Sequence, residues 1–242
     1  MKINTKIITA LALTLVTSWS LAKPIESFSH AKRLLMSEVY KGHYETVYCA
    51  ATFNDAGEIT LPAGFQSDKH QERTELVEWE HIVPAESLGR RFIEWRNGAP
   101  KCVDKKGEPY KGERCAKKVN REYRQIHADL YNLHPAIGTV KAMRGNRHFD
   151  LLPSEKSDFG SCQMKIADKK AEPPLQARGR IARTYLYMDK RYPRYRLGKS
   201  QRKLMLEWDE LHPITNWECK RARRIKKIQG NTNPILAARC GP

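Results

Sequence analysis

Two short stretches of this chain carry residues able to hydrolyse an ester of phosphoric acid. Residues 78–86 read Glu-Trp-Glu-His-Ile-Val-Pro-Ala-Glu and set a carboxylate, Glu80, directly before an imidazole, His81. Residues 128–136 read Ala-Asp-Leu-Tyr-Asn-Leu-His-Pro-Ala and offer the side-chain amide of Asn132. A hard cation such as Mg2+ takes oxygen ligands, and it keeps several waters and a substrate phosphate beside one or two protein groups. Glu80 and Asn132 are candidates for those oxygens, which leaves His81 free to take a proton from water. The same residues also have a plain structural reading, a surface carboxylate beside a packed histidine. Spacing alone does not choose between them.

The elements that must position these groups are legible in outline. Leu76 to Val83 alternates and is rich in β-branched residues, so it reads as a strand stopped by Pro84. Alternation then puts Trp79 on the face opposite Glu78 and Glu80, in the core. Residues 24–41 suggest a helix with Pro24 in its first turn and Ala31, Leu34, Leu35 and Val39 at helical spacing. Tyr48 to Gly64 is turn-rich, with possible short strands. Residues 96–122 hold three glycines, two prolines and many lysines and read as a long surface loop containing Cys102 and Cys115. The segment from Asp129 to Leu133 is expected to begin or lie within a short helix.

From Leu175 onward the pattern is helical. Ile181, Ala182, Tyr185 and Leu186 make one face, and Leu204, Trp208 and Leu211 make a stripe on a second helix with Ser200 as its N-cap. Thr215-Asn-Trp-Glu218 has capping-box spacing for a third helix, ending before Gly230. With no repeat and no linker, the reading is a single mixed α+β domain whose C-terminal half is mostly helical.

The first 22 residues read as a signal peptide. Lys2 and Lys6 precede an apolar stretch from Ile7 to Val16, and Ser20-Leu21-Ala22 supplies a small-x-small cleavage site. Its removal leaves residues 23–242 as the mature chain, exported to an oxidising compartment, either periplasmic or secreted. The six cysteines all lie in this part, with no Cys-x-x-Cys, and an even number in an exported chain reads as three disulfides rather than zinc ligands. The mature chain keeps 42 of the 44 lysines and arginines and all 27 acidic residues, a net charge of +15. Such an excess predicts attraction to a polyanion, and nucleic acid is the most economical one. The basic residues are spread from Arg90 to Arg239 rather than forming one amphipathic stripe, which argues against a membrane role after cleavage.

Four segments, in order, resemble one family. Val77-Glu-Trp-Glu-His-Ile-Val-Pro-Ala85 is similar to the hallmark of bacterial endonuclease I, non-specific nucleases of the ββα-metal (His-Me finger) group. Asp129-Leu-Tyr-Asn-Leu, the run from Ala171 to Met188, and Trp217-Glu-Cys with Gln229-Gly-Asn-Thr-Asn-Pro234 fit the same pattern. The resemblance implies a ββα-metal core in which a strand bears the histidine and a helix bears a metal ligand. It implies His81 as general base, Glu80 and Asn132 as ligands of one divalent ion, Mg2+ or another, and DNA and also RNA as substrates cut to 5′-phosphates by a monomer. A basic binding protein without catalysis is the alternative; retention of Glu80, His81 and Asn132 together argues against it. His127 and His134 flank Asn132 and could reach the site, whereas His70, His148 and His212 have no matching motif.

The chain also departs from the family pattern. Relatives often end a glycine-rich segment in Gly-Arg-Lys-Asn-Cys, whose arginine is thought to steady the cleaved phosphate. Here Trp95-Arg-Asn-Gly-Ala-Pro-Lys-Cys102 lacks it, leaving Lys101 or Arg96 as substitutes with the role assigned to neither. In Val140-Lys-Ala-Met-Arg-Gly-Asn146, Arg144 and Asn146 of the family pattern are retained, while the triplet before Arg144 stands where the family more often has Asn-Gly-Asp. The resemblance further implies rewired disulfides, with Cys102 bonded to Cys115 and the remaining cysteines paired as Cys49–Cys240 and Cys162–Cys219.

Overall fold

The computed structural model describes residues 24–241, so the signal peptide reading lies outside the described residues. Helix α1 (Phe28–Leu34) is capped by Ser27, whose hydroxyl accepts from His30 N–H at 3.3 Å, and it widens into a π turn over Leu35–Val39. That cap explains why the helix starts four residues later than Pro24 suggests. Strands β1 (Thr52–Phe53) and β2 (Ile59–Thr60) form a small antiparallel pair.

The element bearing Glu80 and His81 is β3 (Val77–His81), which pairs antiparallel with β4 (Leu133–Ile137). Glu80 lies opposite His134 and His81 opposite Leu133. Trp79 is buried, as alternation requires. Between the two strands the chain makes four short helices: α2 (Ala85–Gly89), α3 (Ile93–Asn97), α4 (Glu113–Val119) and α5 (Arg121–His127). The segment read as one long loop is thus partly helical, and Cys115 sits on α4, bonded to Cys102.

Residues 129–133 correct the sequence reading, since they form a turn and the start of β4 rather than a helix. Asp129 Oδ1 accepts from Tyr131 N–H at 2.9 Å, which closes a side-chain-mediated turn, and Ile82 N–H donates to Asn132 O at 3.0 Å. Pairing with β3 overrides any local helical preference. Pro135 is accommodated because β4 has β3 as its one strand partner, while the Pro135 carbonyl accepts from Val47 N–H at 2.8 Å. The helix comes immediately afterwards, as α6 (Gly138–Arg144), and it packs against both strands. Gly138 is required there, since a Cβ would come within 2.4 Å of Arg73 O and 2.6 Å of Glu78 Oε1.

A second small sheet follows, with β5 (His148–Phe149) parallel to β7 (Lys170–Glu172), which also pairs antiparallel with β6 (Lys165–Ile166). The C-terminal half is helical as expected: α7 (Leu175–Arg191), α8 (Lys199–Leu211), α9 (Asn216–Gln229) and the short α10 (Pro234–Ala237). Gly198, not Ser200, caps α8, while α9 has the full Thr215–Glu218 capping box and ends at Gly230 in left-handed geometry. The mixture of helices and small sheets is an α+β fold, and one apolar cluster runs through it from Ile25 to Ile225.

Residues of three of the four segments meet in this interior. The buried carboxylate of Asp129 accepts from Tyr187 OH at 2.8 Å, Tyr192 OH at 2.5 Å and Gln229 Nε2 at 3.0 Å. Arg183 grips Glu218 with two 2.8 Å bonds, and Arg221 donates to the carbonyls of Leu130 at 2.7 Å and Leu133 at 2.9 Å. Much of the family signal therefore records polar groups that must be satisfied once buried.

The disulfides are Cys49–Cys162, Cys102–Cys115 and Cys219–Cys240. The 102–115 link agrees with expectation, and the other two pairings are corrected. Cys219 lies near the start of α9, and α10 brings Cys240 back beside it after 21 residues. Among the described residues no helix is long and apolar enough to cross a membrane.

Candidate active site

His81 ends β3 with its ring partly exposed and stacked on Phe28 of α1, the centroids 5.1 Å apart and the planes 24° from parallel. Its Nε2 lies 2.8 Å from the backbone carbonyl oxygen of His127. A carbonyl can only accept, so Nε2 carries the hydrogen and Nδ1 keeps its lone pair. Burial, and after it the neighbouring His127 ring, hold the His81 pKa down to about 3. The imidazole is therefore neutral near pH 7, in one tautomer, with a nitrogen free to accept a proton.

His127 thus reaches the site through its backbone. Its ring is buried against Glu113, with Nε2 3.2 Å from Oε1, and that hydrogen bond is the main reason the Glu113 carboxyl is lowered to about 2. His134 is directed elsewhere. Its Nδ1 is 3.4 Å from Tyr40 OH, and its buried Nε2 has no partner.

Glu80 is 3% exposed. Its Oε1 accepts from Tyr48 OH at 2.9 Å and from Arg144 Nη1 at 2.9 Å. Burial pushes its carboxyl above the ordinary range, while Arg144 and Tyr48 pull it back. Arg144, the last residue of α6, is 1% exposed and also donates to the carbonyls of His81 at 2.8 Å and Ile82 at 2.7 Å. One guanidinium thereby ties the helix to the end of the strand that bears both candidate residues. Sequence reasoning noted Arg144 as retained without assigning it this task. A buried arginine inside a motif was the available signal. Glu80 and His81, adjacent in β3, leave it on opposite faces, so a phosphate meeting both must approach around the strand's end.

Asn132 lies across from Ile82 and is 0% exposed. Its Oδ1 accepts from Val83 N–H at 2.8 Å and its Nδ2 donates to Val83 O at 3.0 Å. Both ends of the amide are engaged, so Asn132 acts as a clasp that fixes the chain just beyond His81. An amide oxygen has two lone pairs, so Oδ1 keeps one beyond the bond to Val83. For a divalent ion the oxygen donors would be Glu80, both of whose hydrogen bonds fall on Oε1 so that Oε2 is uncommitted, and Asn132. No group of three His, Cys, Asp or Glu suited to a metal occurs among the described residues. One carboxylate and one amide, completed by waters and a substrate phosphate, are residues that would hold the ion that the family pattern implies.

Neither expected substitute for the missing arginine is placed at the site. Arg96 Nη1 donates to Arg90 O at 2.7 Å, and Lys101 is exposed. Two adjoining cavities, of about 490 and 530 Å³, share Ser87, Arg90 and His148. Arg91, Arg147, Lys169 and Arg196 add positive charge to their walls, and Tyr185 in the first lies 3.5 Å from Arg144 Nη2. This basic groove leads away from the Glu80–Arg144 pair.

Comparison with known proteins agrees with the arrangement of motifs. The family described as Endonuclease I matches residues 27–239. An extracellular deoxyribonuclease of Aeromonas hydrophila is 36% identical over 233 residues, covering 93% of this chain and 94% of the relative. A periplasmic deoxyribonuclease of the same organism is 36% identical over 239 residues, covering 96% and 94%. Endonuclease-1 of Buchnera aphidicola subsp. Acyrthosiphon pisum (strain APS) is 34% identical over 225 residues, covering 90% and 83%. Similarity of this extent, spanning all four motifs and the strands and helices that carry them, means that the chain belongs to the endonuclease I family.

Proposed function

We propose that the chain is an exported, non-specific endonuclease that hydrolyses phosphodiester bonds of DNA, and of RNA, to 5′-phosphate products. The observation that carries this reading is His81, a neutral imidazole whose tautomer is fixed by the His127 carbonyl and whose Nδ1 is free. Such a group accepts the proton of an attacking water without first losing one of its own. Arg144 and the Asn132 clasp position it by holding the backbone on either side. In this reading the β3–β4–α6 unit serves as the ββα core that the family resemblance implies. The basic groove and the net charge of +15 on the mature chain supply phosphate contacts that carry no sequence information. Glu80 and Asn132 would hold one divalent ion, Mg2+ or another, which when bound would polarise the scissile phosphate. Three disulfides suit an oxidising compartment, and the Aeromonas relatives are named extracellular and periplasmic.

The test is supercoiled plasmid DNA, and separately structured RNA, incubated with the purified mature protein with and without Mg2+. Nicked circles, then linear DNA, then fragments without a preferred sequence are expected. Plasmid that is retarded in a gel but never cut would instead identify a basic binding protein and end the enzyme reading.

A further inference from the structure

Helix α8 begins without a side-chain cap. Gly198 stands at its N-cap position, and no acidic residue lies in its first turn. The first bond of the helix runs from Arg202 N–H to Gly198 O at 2.9 Å, so the N–H groups of Lys199, Ser200 and Gln201 have no carbonyl of the helix to meet. Together with the dipole of a 13-residue helix they favour an anion. A Cβ added at Gly198 would meet nothing within 4 Å, so the space beside it is open.

That space belongs to the cavity of about 490 Å³, which Gly198 and Gln201 line together with Arg91, Tyr195 and Arg196 and to which no acidic residue contributes. Arg91 is exposed, and its side chain has no partner among the described residues. Arg196 is held through Nη1, which donates to the carbonyls of Asp189 at 2.8 Å and Tyr195 at 3.0 Å, while its Nε and Nη2 are uncommitted among the described residues. Tyr195 is 6% exposed, yet its hydroxyl has no partner among the described residues. Burial keeps that phenol well above its ordinary pKa, so it remains a donor. The neighbouring acids are already matched: Asp189 accepts from Leu197 N–H at 2.8 Å and pairs with Arg202, and Glu86 accepts from Arg90 Nε at 2.8 Å.

We propose that this cavity is a phosphate subsite, in which the first-turn N–H groups of α8, Arg91, Arg196 and the Tyr195 hydroxyl take one backbone phosphate of the nucleic acid away from the bond that is cut. Scattered surface charge attracts a strand, whereas fixed donors hold it in register. Tyr185 lines the same cavity and lies 3.5 Å from Arg144 Nη2, so the subsite adjoins the guanidinium that grips Glu80. That the phosphate belongs to nucleic acid rests on the nuclease reading; that the cavity binds phosphate does not.

The decisive variant is Gly198→Asp. The backbone there, at φ −64° and ψ 156°, admits any residue, and an aspartate caps the helix while setting its carboxylate in the anion's place. Its thermal unfolding midpoint should be no lower than that of the wild type. In a first arm, inorganic phosphate is titrated into the mature protein and followed by NMR. The Ser200 and Gln201 amides should shift saturably in the wild type and stay still in Gly198→Asp; wild-type amides that do not move would overturn the subsite. In a second arm, affinity for an uncut DNA duplex is measured in the His81→Ala background at several salt concentrations. Gly198→Asp should weaken binding on the order of tenfold, and Arg91→Ala should lower the salt slope by about 1. The control Lys203→Ala also subtracts one unit of charge, but from an exposed position about 200° round the helix from Gln201, and should change affinity less than about twofold. Equal weakening by Gly198→Asp and Lys203→Ala, or an unchanged salt slope in Arg91→Ala, would overturn the nucleic-acid half. A wild type that neither binds nor cuts nucleic acid refutes the nuclease reading, while the phosphate arm still decides the subsite.

Discussion

Replacing His81 with alanine lowers DNA cleavage by about 10²–10⁴-fold, the usual contribution of a positioned general base, while affinity for uncut DNA stays nearly unchanged. The argument rests on where the ring acts. Its Nε2–H is committed to the His127 carbonyl and one ring face to Phe28, so Nδ1 is the nitrogen left for the substrate. Proton acceptance matters in the transition state and little in binding, whereas DNA affinity comes from cations spread over the groove and the rest of the surface. Cleavage within twofold of wild type would remove His81 from the role. A matching loss of DNA affinity would show instead that the ring supports the binding surface.

Replacing Arg144 with methionine should destabilise the fold by about 3–5 kcal/mol, because it leaves Glu80 as an unpaired buried carboxylate. The carbonyls of His81 and Ile82 lose their donor at the same time. The loss is a large share of the stability of a typical domain, so urea unfolding should show a much reduced midpoint. Arg144→Lys keeps the charge but cannot reach one carboxylate and two carbonyls together, and it should rescue only part of the loss. The double variant Glu80→Gln, Arg144→Met should be more stable than Arg144→Met alone, since it removes the orphaned charge. Unfolding curves for Arg144→Met that overlay the wild type would show that the pair is not buried as described.

The comparison of sequence with structure separates two kinds of signal. Strand β3, the burial of Trp79, the capping box of α9 and the Cys102–Cys115 link could be read directly, because each follows from local periodicity or a short contact. The clasp made by Asn132 could not. An amide after a turn does not reveal that it also bonds the backbone of Val83, which follows only from the pairing of β3 with β4. The turn at Asp129 was read as helical for the same reason, since its strand partner lies some fifty residues away. The disulfides of Cys49 and Cys219 depend on how the two halves of the chain pack, which no spacing rule contains. Arg144 was visible as a retained residue, yet its four-way role required knowing that α6 ends above Glu80.

That His81 works as a neutral base is tested most directly by the pH dependence of kcat/KM for DNA cleavage, which reports the ionisations of the free protein. A base with a depressed pKa is active above that pKa and is lost only as the pH falls through it. With His81 held at about 3 by burial, the rate should stay level from pH 8 down through the ordinary histidine value of about 6.5 and fall only at markedly lower pH. A tenfold drop per pH unit beginning near 6.5, present in the wild type and absent from the residual activity of His81→Ala, would contradict the account.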